Sequence, residues 1–129
     1  MFRDRGRWKV KLGRAGSGVF RAAPVEGGPR VEVLVAGENL SAARVVLPPG
    51  GGMPEHDHGE SEAMVVVRSG RVLMRSGDQE EELEAGAVAL IGVGERVALR
   101  NASQEEAHLL AVFSPPGFVR NLEAWPEAG

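Results

Sequence analysis

The run Gly50-Gly51-Gly52-Met53-Pro54-Glu55-His56-Asp57-His58-Gly59-Glu60-Ser61-Glu62 decides how this chain is read. Its glycine-rich start reads as a turn, and it holds two of the chain's three histidines, with acids on either side. On a strand, residues i and i+2 project to one side, so His56 and His58 are expected to face together and Asp57 to face away. Two neutral imidazoles roughly 6–7 Å apart along a strand can share one transition-metal ion. A nearby carboxylate would complete a two-histidine, one-carboxylate face with open positions, suited to activating water or dioxygen. Glu60 and Glu62 both lie within reach. The bland reading is a pair of exposed histidines beside a loop, with Glu60 a solvated carboxylate.

Outward from this run the chain is a succession of short strands separated by turn signals. The strands are read at residues 8–12, 18–22, 30–36, 41–47, 64–68, 71–75, 80–83, 88–91, 96–100 and 107–113. Between them stand Gly27-Gly28-Pro29, Gly37-Glu38-Asn39, Ser69-Gly70, Ser76-Gly77-Asp78 and Asn101-Ala102-Ser103, all residues with a mechanism for turning the chain. Arg-Ser-Gly occurs at 68–70 and again at 75–77, bracketing Val72-Leu73-Met74 as a meander would. Only residues 117–127 have the character of a short helix, which Pro126 would end. The pattern is that of an all-β sandwich or barrel, and 129 residues without a visible linker make one domain, 1–129.

Composition narrows the chemistry. There is no cysteine, which excludes disulfides, thiolate metal sites and a cysteine nucleophile. The imidazole chemistry rests on His56, His58 and His108. His108 sits in phase with Leu110 and Val112 and could point into a barrel, although a partly exposed place near the start of its strand is the alternative. Net charge is −3, yet residues 1–21 carry seven Arg or Lys against the single acid Asp4. Arg3, Arg5, Arg7, Lys9 and Lys11 alternate with apolar Trp8, Val10 and Leu12, so the cations form a solvated strand face that could meet the acidic run Glu80–Glu84 of this or a second subunit. No reading helix or aromatic platform accompanies them, so nucleic acid is not expected as a partner. A membrane is not expected either, because Arg, Lys and Gly interrupt the N-terminus and no apolar run spans a bilayer; a cytoplasmic location follows as an expectation.

Gly50, five residues, His56-x-His58, three residues, Glu62, and then Gly70 resembles the first motif of the cupins. Gly86, five residues, Gly92-Val93-Gly94, two residues, Val97, three residues, Asn101 keeps the spacing of their second motif. Ser114-Pro115-Pro116-Gly117-Phe118 also looks like the barrel end of small single-domain cupins, including the quercetin-dioxygenase-like ones. The resemblance covers about residues 40–118. It implies a double-stranded β-helix, a small jelly-roll barrel, with N-terminal strands over 1–39 as a dimer arm and a short tail over 119–129. It further implies a divalent metal (Zn, Fe, Mn, Ni or Cu) held by His56, His58 and Glu62. A small organic ligand would then sit beside Glu60, Met64, Val97 and His108, and a metal-dependent activity would be of dioxygenase, isomerase or lyase type. Homodimerisation is the habit of the fold.

Two departures bear on function. Val97 stands where the second motif has its metal-binding histidine, and valine cannot bind a metal. Counting forward from His58 makes Glu62 the carboxylate ligand, whereas counting back six residues from Gly70 lands on Ala63. A one-residue slip turns a strand's side chains to the opposite face, and a bulge could restore them. Two function classes therefore stand open: a metal-binding cupin, and a metal-free cupin that binds a small ligand or senses it.

Overall fold

The computed structural model describes residues 10–128. Ten strands are present among them: β1 (Phe20–Ala22), β2 (Arg30–Ala36), β3 (Ser41–Leu47), β4 (Gly52–His56), β5 (Glu62–Ser69), β6 (Arg71–Ser76), β7 (Gln79–Glu84), β8 (Val88–Ile91), β9 (Val97–Arg100) and β10 (Ala107–Ser114). They build a six-stranded sheet, β1-β2-β3-β10-β5-β8, and a four-stranded sheet, β4-β9-β6-β7, with every pairing antiparallel. A 3₁₀ turn (Pro116–Phe118) runs into a short helix, α1 (Val119–Glu123), so the expected helical tail is present and stops before Pro126. This is the jelly-roll arrangement that the strand spacing and motifs pointed to.

Period-two alternation sets the inner face. On β10, Ala107, Leu109, Ala111 and Phe113 are buried, and on β5 so are Ala63, Val65 and Val67. With Val31, Ala43, Leu47, Val72, Ile91 and Val97 they form one apolar core between the sheets. Each of the larger aliphatic side chains contributes roughly 1.5–3 kcal/mol by leaving water.

Several expectations need correction. The strand expected at residues 8–12 lies partly outside the described residues; the described part, residues 10–12, is irregular chain, with Val10 and Leu12 about half exposed. The strand expected at 18–22 is shortened to β1, because Gly16 and Gly18 turn their N–H groups onto the Glu32 carboxylate instead of onto a neighbouring strand. The Arg-Ser-Gly repeat does not bracket a continuous meander. β6 and β7 pair as a hairpin through Gly77, but β5 and β6 belong to different sheets, and Gly70 is the corner between them. Gly70 has φ +80°, and a β-carbon there would come within 2.7 Å of the Glu106 carbonyl oxygen and 2.8 Å of Ala107 Cα, so only glycine fits. β4 is not among the strands read from the turn pattern, since Gly50-Gly51-Gly52 reads as a turn, although the His-x-His spacing did place His56 on a strand, where it lies.

The N-terminal stretch is held by one buried acid. Glu32 on β2 is fully enclosed and accepts N–H bonds from Gly16 (2.9 Å) and Gly18 (2.6 Å), with Arg44 Nε at 3.3 Å. Burial alone would raise its pKa, but the two amides and the Arg44 guanidinium outweigh that and hold it below the ordinary carboxylate value. Arg44 in turn lies over the Phe20 ring at 4.6 Å, and Arg30 lies at 5.2 Å. The acidic run is spread along β7, an edge strand, facing Arg71 and Arg75 of β6 in register; charge on an edge discourages pairing with foreign strands.

Candidate functional site

His56 is the last residue of β4, and β4 is held by β9, where Val97 stands directly opposite His56. The chain leaves the strand at this point, so Asp57 and His58 lie in a loop and not on the strand that the His-x-His spacing suggested. A tight turn follows. Asp57 Oδ1 accepts the N–H of Gly59 at 2.8 Å, Gly59 takes φ +63°, and Ser61 N–H returns to the carbonyl of His58 at 3.1 Å. Buried Ser61 then donates its hydroxyl to the Pro115 carbonyl at 2.6 Å, tying the loop to the barrel end. The turn swings His58 inward, and it is only 7% exposed.

The two imidazoles do come together, as expected, with ring centroids 5.0 Å apart and planes at 77°. His58 is walled by Phe118, edge to face at 4.9 Å, and by Phe113 at 5.8 Å. These rings open on a cavity of about 70 Å³ between the sheets, whose remaining wall is aliphatic and aromatic, with Met53 and Leu99 on one side and Leu122 and Trp125 closing the end. Among the described residues, the side chains lining it that carry polar atoms are His56, His58 and Trp125.

The chemistry of the two rings differs. His56 Nδ1 lies 2.9 Å from the Pro54 carbonyl, which can only accept, so Nδ1 is the donor there and Nε2 is the ring atom left for a ligand. His58 Nδ1 is sealed from solvent and has no hydrogen-bond partner, which leaves Nε2 as the atom a ligand can address. Burial, reinforced by the neighbouring His56 and opposed by Asp57, pulls the His58 pKa down to about 4. At neutral pH this ring is an uncharged imidazole in an apolar enclosure.

The other candidates do not join them. Glu62 is exposed on the outer face of β5, opposite Ser114, and Ala63 takes the inward position with no measurable exposure. The register fixed by Gly70 is thus the one the barrel adopts, and Glu62 as a third ligand is corrected. Glu60 is exposed in the turn. Met64 also points outward, 38% exposed, whereas Met53 does line the cavity. Val97 is buried core beside the pocket, not part of its lining. His108 faces outward, because the inward phase of β10 is Ala107, Leu109, Ala111 and Phe113; its Nε2 sits 3.5 Å from Glu106 on the surface.

The residues present therefore fit a resident divalent ion poorly. Structural zinc sites use four protein ligands and catalytic ones three. Among the described residues, no three His, Asp or Glu side chains are grouped to hold a metal, and only His56 and His58 converge. The aromatic end wall was the part that sequence reading missed. Phe118, Leu122 and Trp125 lie in the tail, and their spacing of four and three residues was the only signal that they share a face.

Asn101, the last residue of the second motif, is a fully buried structural clamp. Its Nδ2 donates to the carbonyls of Leu47 (3.1 Å) and Glu105 (2.7 Å), and its Oδ1 accepts the N–H and hydroxyl of Ser103.

Comparison with known proteins agrees with this geometry. The family model described as "Cupin domain" matches residues 43–113. A curated endoribonuclease, YbeY of Myxococcus xanthus, is 30% identical over 111 residues; these cover 79% of the chain but 37% of that protein, so the chain spans little more than a third of its relative. Among solved structures, KdgF from Halomonas sp. superposes with a TM-score of 0.72 at 15% identity, covering 82% of this chain and 94% of that one. A predicted oxalate decarboxylase from Thermotoga maritima gives 0.69 at 20% identity, covering 81% and 98%. The protein TT1209 from Thermus thermophilus gives 0.64 at 26% identity, covering 74% and 90%.

Proposed function

Since this chain belongs to the cupin family, we propose that its barrel binds a small, largely apolar organic ligand through His56 and His58 without needing a metal. The observation that carries the reading is the site itself: two imidazoles, that of His58 uncharged at neutral pH, in an apolar cavity, with Ala63 and Val97 where further donors would stand. A ligand hydroxyl, which can donate or accept, would hydrogen-bond His56 Nε2 while the ligand's apolar body fills the space beside Phe113, Phe118 and Trp125. Such a pocket selects shape and one polar handle, the usual division of labour in small-molecule sites. A carboxylate ligand suits it less, because His58 stays uncharged and no Lys or Arg among the described residues lines the cavity.

The test is a thermal-shift titration with phenol and indole as probes, in buffer containing a chelator. Stabilisation that survives chelation and disappears in His58→Phe supports the reading; a bound ligand at about a hundredfold its Kd adds about 2.7 kcal/mol. Stoichiometric metal in protein purified without added ions, lost in both His56→Ala and His58→Ala, would overturn it in favour of the metal-binding class. The 5.0 Å approach of the two rings is the observation that keeps this second class in view.

A further inference from the structure

In the first Arg-Ser-Gly, at 68–70, the glycine makes the corner between the sheets, but the arginine and serine belong to neither the core nor the barrel cavity. The register of β5 against β10 runs from Val66 opposite Leu110 to Val67 opposite Leu109, and then Ser69 stands opposite His108. Arg68 is therefore the extra residue of a β-bulge. Plain alternation would send Arg68 and Ser69 to opposite faces; here Val67 is buried and both residues after it are exposed. Re-aiming a side chain in this way is what bulges do, at the expense of ladder pairing.

Both side chains open on a groove of about 420 Å³ on the outer face of the six-stranded sheet, across the sheet from the barrel cavity. Its other walls include His108, Arg44 of β3 and the apolar Leu34 and Leu110. No acid is among its described lining residues. Two other grooves that carry arginine differ in this respect: Glu80 shares one with Arg75 and Arg100, and Glu82 shares another with Arg71. Arg68 has no ion-pair partner among the described residues, whereas Arg30, Arg44, Arg71 and Arg96 each have an acid within 4.0 Å. The acids that face Arg44 and His108 are already engaged. Glu32 takes Arg44 Nε and the amides of Gly16 and Gly18, and Glu106 is shared between Arg30 (3.4 Å) and His108 (3.5 Å).

We propose that this groove is a second binding site, for a small organic phosphate monoester whose phosphate is held by Arg68 and Ser69. The guanidinium fork offers parallel N–H groups to two phosphate oxygens, and the hydroxyl of the neighbouring residue donates to the third. A carboxylate has only two oxygens and matches this donor set less well. Arg44, fixed by Glu32 and by its place 4.6 Å over the Phe20 ring, adds attraction from the opposite wall. The groove is larger than a bare phosphate ion needs, and Leu34 and Leu110 offer apolar surface to the organic part of the ester.

Isothermal titration calorimetry on the full chain at low salt, with phenyl phosphate as the probe, tests this. One-site binding is expected, weakened about tenfold or more in Arg68→Gln and several-fold in Ser69→Ala, with both variants folded by circular dichroism. Arg75→Gln, in the groove that holds Glu80, should leave it unchanged. Inorganic phosphate should bind the same site more weakly, because it leaves the apolar surface uncovered. No binding at about 10 mM phenyl phosphate, or binding that neither Arg68→Gln nor Ser69→Ala alters, overturns the proposal. An equal loss in Arg68→Gln and Arg75→Gln also overturns it, as general charge attraction. Competition by phenol would do so by placing the probe in the barrel, and equal affinity for inorganic phosphate would remove the ester. An RNA oligonucleotide or a phosphoserine peptide that displaces the probe at far lower concentration would assign the groove to a macromolecule instead.

Discussion

His58 should make the protein's stability depend on acid in a specific window. Its ring titrates near pH 6.5 in the unfolded chain but only at about 4 in the folded one, because burial beside Phe113 and Phe118 disfavours the charged form. Between those values the unfolded state binds a proton that the folded state refuses, so folding stability falls as the pH drops from 6.5 to 4 and is flat outside that range. Each pH unit is worth about 1.36 kcal/mol, so the loss reaches about 3 kcal/mol at pH 4. Urea unfolding followed by tryptophan fluorescence at about pH 7.5, 5.5 and 4.5 would measure it, with His58→Leu as the reference. All other groups titrate in both proteins, so the difference between the two curves isolates this ring. Leucine also removes the unpartnered buried Nδ1, worth about 1–3 kcal/mol, so the variant should be the more stable protein even at the highest pH. A wild-type-to-variant difference that stays constant across the three pH values, or a ring that titrates near 6.5 by NMR in the folded protein, would refute the argument.

Other expectations follow from single residues. Asn101→Ala breaks a clamp on two carbonyls and Ser103, and should lower unfolding free energy by about 2–4 kcal/mol with little effect on ligand binding at saturation. Glu32→Ala leaves Arg44 without its buried partner and frees the Gly16 and Gly18 amides; a loss of about 3 kcal/mol and faster hydrogen exchange at those two amides are expected. Because the folded pKa of Glu32 lies below the ordinary value, the stability it supplies is full above pH 4.5 and disappears as the pH falls further, a component that Glu32→Gln should abolish in the same urea assay. Glu62→Gln should leave probe binding and metal content unchanged, in contrast to His58→Phe, because the carboxylate lies outside the barrel. Gly70→Ala should cost several kcal/mol in chemical unfolding, since it combines a positive φ with a 2.7 Å approach to backbone.

The strands were legible because turn chemistry is local. Gly70 and Gly77, together with the Asn101–Ser103 turn, interrupt the apolar runs where the chain bends, and nearly every strand between them forms within two residues of its expected ends. The extent of β4 was harder to read, because Gly50 and Gly51 lead into it and Gly52 and Pro54 within it disfavour a strand in isolation; pairing with β9 overrides that preference. The direction of a side chain was harder to read. On β10 both phases are apolar, Leu109 and Phe113 in one and Leu110 and Val112 in the other, so alternation alone could not say which side His108 takes. β5 has the same ambiguity, Ala63, Val65 and Val67 against Met64 and Val66, and it concealed Glu62 in the same way.

By itself the sequence determined the all-β architecture, the absence of thiolate chemistry and the closeness of His56 and His58 along the chain, all properties set by residue type and spacing; the turn tied to Pro115 is what brings the second ring inward. The tertiary structure decided which donors share a space. Glu62 and His108 lie outside, Ala63 and Val97 lie inside, and Phe118, Leu122 and Trp125 return from the tail to close the pocket. Those outcomes depend on strand register and on which sheet face is covered, and both are settled by contacts between residues far apart in the chain.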